Sequence, residues 1–146
     1  MGLAVSKPLQ YGAWKSQGRP FYSGAAVYRY EAVLDEKPKI ALLDVQKHMS
    51  TALSFTVNGQ YGGLIGADGV KPVEIAGLLH AGKNAIAIRV CGSLKNLLGP
   101  HFMKKPIRGS AWPAMWKDAP AFRQPGPDSY DLLDFGLTES PRLTIG

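Results

Sequence analysis

The chain has 146 residues, 45% hydrophobic and 19% charged, with 17 glycines and 11 prolines; this is the make-up of one folded domain over 1–146, rich in turns, and it favours an all-β class. The formal charge of +6 raises nucleic acid as a partner, yet Lys104, Lys105 and Arg108 form one modest basic group without a nucleic-acid motif around it, so the charge reads as solvated surface with at most a weak preference for acidic polysaccharide. A single cysteine, Cys91, excludes an internal disulfide and reads as a small buried hydrophobe, and no run of about 18 apolar residues offers a membrane span.

In chain order, Met1 to Ser6 matches the short myristoylation pattern, as would the Met-Gly start of an excised fragment, and carries no charged-then-apolar secretion signal. Lys7 to Gly24 spaces Tyr11, Trp14, Phe21 and Tyr22 among Gly, Pro and polar residues. A ring in such a loop can stack on the C–H face of a pyranose, which makes Trp14 and Tyr22 candidate sugar contacts; the competing reading is that these rings plug one end of the core. Ala25 to Leu34 reads as a strand with Tyr28 and Tyr30 on one face and Val27 and Val33 on the other, the pattern of a central strand covered on both sides for part of its length. Ile40 to Val45 is a further strand, and His48-Met49-Ser50 a loop. No histidine has a partner at metal-ligand spacing.

The organising stretch runs from Leu53 to Val90. Leu53, Phe55 and Val57 alternate with Ser54 and Thr56, the period-2 pattern of a half-buried strand, and Asn58-Gly59 tolerates the positive φ angles of a tight turn, so Gln60 to Leu64 is expected to return as the second arm of a hairpin. Val73 to Ile75 is a short strand, His80 to Asn84 is turn chemistry, and Ala85 to Val90 sets Ile86, Ile88 and Val90 on one face.

The pieces Val57-Asn58-Gly59, Gly62, Pro72 to Ile75, Leu78-Leu79, Gly82-Lys83-Asn84 and Ile86 to Val90, with Ser23-Gly24 and Val27 to Leu34 upstream, resemble the sugar-binding β-sandwich domain of glycoside hydrolase family 2 and similar galactose-binding-like modules of rhamnosidase-type and other polysaccharide-degrading enzymes. The resemblance covers roughly the middle two thirds of the chain. It implies a jelly-roll β-sandwich of two antiparallel sheets, a sugar-binding role, and a parent enzyme that is secreted or periplasmic.

Between Cys91 and Asp128 the strand grammar stops, and a segment this long without periodicity is often a functional loop. Trp112 and Trp116, with Phe122 nearby, are candidates to line up along a glycan chain; the alternative is that they cover an open sheet edge. Asn96 and His101 flank a Gly-Pro turn that can hold polar side chains rigidly, as sugar contacts or as a structural brace, and modules of the resembling kind often carry an Asn at this place. Tyr130 to Phe135 and Arg142 to Ile145 are expected to close the sheets. Asp128, Asp131 and Asp134 raise a structural Ca²⁺ site of the kind such modules often hold, but the expectation is no cofactor and no metal.

A glycosidase needs two carboxylates facing each other across the scissile bond. Glu31, Glu36, Glu74, Asp118 and Asp131 have no catalytic context, and no nucleophile elbow, phosphate loop or zinc motif is present. The expected function is therefore a non-catalytic carbohydrate-binding module that targets a parent glycoside hydrolase to a plant-type polysaccharide, with the parent's catalytic domain as a second partner and neither nucleic acid nor membrane as a third. A scaffold domain that packs on the catalytic domain without binding sugar is the alternative, and a small independent enzyme comes last.

Overall fold

The computed structural model describes residues 8–66, 71–102, 112–118, 120 and 126–146. Ala25–Leu34 (β1) runs antiparallel to Gly82–Cys91 (β7) along its whole length, from Ala25 opposite Cys91 to Leu34 opposite Gly82. The other edge of β7 pairs with Ala52–Val57 (β4), which pairs in turn with Gln60–Ile65 (β5), so the first sheet has the order β1-β7-β4-β5. A second sheet sets Ala41–Asp44 (β2) between Val73–Glu74 (β6) and Arg142–Ile145 (β9). A two-stranded ladder joins His48–Met49 (β3) to Gly136–Leu137 (β8). Every pairing is antiparallel, and the single α-helix among the described residues is the four-residue turn Lys95–Leu98 (α1).

Alternation builds the core. Leu53, Phe55 and Val57 from β4 and Ile86, Ile88 and Val90 from β7 turn to one face, where they meet Ala41, Leu43, Val45, Ile75 and Leu79 from the β2–β6 side, all of them in one buried cluster. Two sheets that bury their alternate residues against each other make a β-sandwich. The all-β expectation holds, with the pairing divided among three sheets, one of only two short strands, where two sheets were expected.

The hairpin forms as its sequence requires. Asn58 and Gly59 take φ values of 52° and 82°, the left-handed region that Asn and Gly tolerate best. The Asn58 amide also reaches across the sheet: it donates to the Asn84 Oδ1 at 2.9 Å and to the Leu78 carbonyl at 3.0 Å, while its own oxygen accepts from the Ala85 N–H at 2.9 Å. Asn84 is fully buried, and its amide donates to the carbonyls of His80 and Gly82 at 2.8 and 3.0 Å while its oxygen accepts the His80 N–H at 3.1 Å. A buried amide costs free energy unless paired, and every polar atom here has a partner.

Four local expectations are corrected. β1 is an edge strand and not a central one, because among the described residues only β7 pairs with it; Val27 and Val33 on its outer face are exposed. His48-Met49 is a short strand instead of a loop. Cys91 ends β7 only partly buried. Tyr130 to Phe135 forms no strand, since side chains and a loop carbonyl take the place of a neighbouring strand. The Asn96 amide donates to the Leu133 carbonyl at 2.9 Å and accepts its N–H at 2.7 Å, the Lys95 ammonium donates to the Asp131 carbonyl at 2.7 Å, and the Asp131 N–H donates to the His101 carbonyl at 2.8 Å.

Candidate functional site

The six residues expected to touch sugar fall into three environments. Trp14 and Asn96 are core residues. Trp14 is 1% exposed, its indole Nε1–H donates to the Tyr28 hydroxyl at 2.9 Å, and its ring meets Tyr22 edge-on with centroids 5.5 Å apart. An indole enclosed in this way turns no face to solvent, the placement that the core-plug reading describes. Asn96, 2% exposed, spends its amide on the Leu133 backbone, the placement of a structural brace.

His101 belongs to the same brace. Its Nε2 lies 3.0 Å from the Asn96 carbonyl, and its ring packs among Phe21, Phe102 and Tyr130 at centroid distances of 5.8, 6.2 and 5.4 Å. Lys95 completes the arrangement: its ammonium donates to the Pro100 carbonyl at 2.6 Å and pairs with the Asp131 carboxylate at 3.2 Å, both side chains being largely buried. The expected rigid loop base is present, and its polar groups are turned inward on the chain.

Trp112 and Trp116 are exposed, 67% and 43%. Trp116 is anchored by an indole N–H that donates to the Leu98 carbonyl at 2.8 Å. Leu94, Leu97 and Leu98, spaced on one side of the α1 turn, are all more than half exposed or nearly so. The indoles are thus open to solvent as expected, but the surface that Trp116 joins is leucine-rich. Phe122, Lys104, Lys105 and Arg108 lie outside the described residues, as does the Met1 to Ser6 pattern.

Tyr22 leads to a feature that the sequence reading missed. Its hydroxyl donates to the Ala25 carbonyl at 2.8 Å at the start of β1, and its ring lines a cleft of about 600 Å³ between the segment from Pro8 to Tyr11 and the free edge of β1. The walls include Tyr11, Tyr28, Tyr30, Arg19 and Arg29, with Gln10 at one side. Tyr11 lies parallel to Tyr28, centroids 6.4 Å apart with 4° between planes, and its hydroxyl is 3.4 Å from that of Tyr30. Burial first, and then the hydrogen-bonding contact with the Tyr11 hydroxyl, raises the pKa of the Tyr30 hydroxyl above the usual phenol range. Exposed rings such as Tyr11 and Tyr22, with hydroxyl and guanidinium groups around one concavity, are the means by which a protein binds a polar ligand with ring-shaped apolar faces. The signal was present in the Tyr28-Arg29-Tyr30 run, but only knowledge that β1 lies at an edge turns that run into a wall.

Three of the five carboxylates considered for catalysis have structural duties. Glu31 pairs with Lys83 at 2.8 Å on the surface, the Glu74 carboxylate accepts the Ala76 N–H at 2.7 Å and the Ala41 N–H at 3.3 Å, and Asp131 is held by Lys95. Of the acidic residues weighed for Ca²⁺, Asp134 pairs with Lys15 at 2.7 Å. Among the described residues no group of three or more His, Cys, Asp or Glu is placed to hold a metal ion.

No protein-family model matches the sequence, and no curated protein sequence matches it either. Among solved structures, the fold is similar to part of a rhamnosidase from Novosphingobium sp. PP1Y, with a TM-score of 0.57 and 22% identity over 84% of this chain. The match spans 11% of the rhamnosidase chain, and at this identity the likeness is one of fold.

Proposed function

We propose that the chain is a non-catalytic carbohydrate-binding module of a glycoside hydrolase, of the galactose-binding-like jelly-roll kind, that holds its parent enzyme on a plant-type polysaccharide outside the cytoplasm. The observation that carries this reading is the cleft along the β1 edge, where half-exposed Tyr11 and Tyr22 flank polar groups able to bind sugar hydroxyls. The fold likeness to a small part of a rhamnosidase supports the accessory role. The structural duties of Glu31, Glu74 and Asp131 support a module without hydrolytic chemistry of its own. Affinity electrophoresis of the domain against soluble glucans, xyloglucan, xylan, mannan and pectic polymers tests it. Retardation by at least one polymer, reduced in Tyr11→Ala without loss of melting temperature, is expected. Retardation by none, or sustained release of reducing sugar that one carboxylate substitution abolishes, contradicts it.

A second reading has its own observation. Leu94, Leu97, Leu98 and the anchored Trp116 form an exposed apolar surface, which suits packing against a catalytic domain better than stacking on a hydrated glycan. On this reading the chain is a scaffold domain that binds no sugar itself, and Trp116→Ala weakens association with the parent's catalytic domain.

A further inference from the structure

The charge on the β1 cleft is one-sided. Arg19 and Arg29 both line it, and among the described residues that line it none is acidic. Arg29 sits on the outer face of β1, and Arg89 of β7, outside the cleft lining, lies opposite Val27, one diagonal step from Arg29 on that same face and likewise exposed. Diagonal neighbours across antiparallel strands stand close enough for long side chains to act on one ligand. Glu31, two residues along β1 on this face, is paired with Lys83. In a concavity with tyrosine walls, guanidinium groups bind anions through charge-assisted and often bidentate hydrogen bonds, and the partial exclusion of water strengthens them.

From this charge pattern we infer that the cleft selects acidic oligosaccharide, a sugar chain bearing carboxylate or sulfate groups, with Arg29 reading the anionic group at the cleft wall, Arg89 adding a second guanidinium beside the cleft, and Tyr11 and Tyr22 holding the ring. This rests on the carbohydrate-binding reading and adds to it the class of sugar. The +6 charge of the chain then acts at long range to draw a polyanion in, and the arginines select at contact.

Titration calorimetry of the full chain tests the inference with four probes: an oligogalacturonide, the same oligomer fully methyl-esterified, a sulfated galactan oligosaccharide and single-stranded oligothymidylate. One or both acidic sugars should bind roughly tenfold or more tighter than the neutral ester, and which of them binds identifies the anionic group. Arg29→Gln and Arg89→Gln should remove most of that preference, Arg29→Lys should keep part of it, and raising the salt should weaken the acidic arm alone. If the ester binds as tightly as the acid, or if both glutamine variants keep the preference, sugar binding stands and acid selection falls. If oligothymidylate binds best, the cleft is a nucleic-acid site and the inference is overturned. If no sugar binds, acid selection and the carbohydrate-binding reading fall together.

Discussion

Asn84 shows how much one residue can organise. It is fully buried, yet its amide accepts from Asn58 and His80 and donates to His80 and Gly82, tying the tip of the β4–β5 hairpin to the turn before β7. Asn84→Ala leaves several of those groups unpaired, so we expect a loss of about 3 kcal/mol in urea unfolding, whereas a surface alanine substitution such as Lys83→Ala should cost under about 1 kcal/mol. His48 gives a pH dependence. Burial holds its imidazole pKa below the ordinary 6.5, so the unfolded chain takes up a proton more readily than the folded one. The stabilisation is complete above the unfolded value and is lost as pH falls from about 6.5 through the lower folded value. Melting temperature followed across that window should fall less steeply on acidification in His48→Gln than in the parent chain. Equal slopes would show that His48 contributes nothing to the pH dependence.

Within single elements the strands were legible because each carries its period in adjacent residues. Leu53, Phe55 and Val57, and Ile86, Ile88 and Val90, alternate as their burial does, and Asn58-Gly59 is a local turn signal that no distant contact needs to complete. What the sequence hid depends on neighbours far along the chain. Val27 and Val33 alternate with Tyr28 and Tyr30 whether β1 is central or at an edge, so the free edge and its cleft could not be read from β1 alone. Tyr130 to Phe135 has the apolar content of a strand, but Asn96, some thirty-seven positions earlier, supplies its backbone bonds instead. Trp14, Tyr22, Trp112 and Trp116 look alike as aromatic residues in Gly- and Pro-rich sequence, and only packing separates the enclosed Trp14 from the rest. At the β4–β5 pairing, Gly62 faces Phe55 so closely that an added Cβ would fall inside the van der Waals shell of its ring. Gly62→Ala must therefore displace a side chain that is 1% exposed, and a loss of roughly 1 to 3 kcal/mol by thermal or urea unfolding is expected. A neutral result would mean that the hairpin shifts its register to make room.

At the scale of the whole molecule, the sandwich presents two unlike surfaces from one core: a tyrosine- and arginine-lined cleft on the β1 edge and an apolar face at α1 with Trp116. A module that binds a polymer with one surface and its enzyme with the other has a use for both, and the separation allows each to be disabled alone. Circular dichroism should show a β-dominated spectrum with little helix, in keeping with strands throughout the two main sheets and a single four-residue α-helix among the described residues. The central claim is that sugar binds in the cleft, and amide chemical-shift mapping tests it most directly. The isotope-labelled domain is titrated with the oligosaccharide that binds best in the polymer screen. Shifts should concentrate at Gln10, Tyr11, Arg19, Tyr22 and the β1 residues from Ala25 to Tyr30, with Leu94 to Leu98 and Trp112 to Trp116 unmoved. Shifts concentrated at α1 and the two exposed tryptophans, with the β1 edge silent, would contradict it.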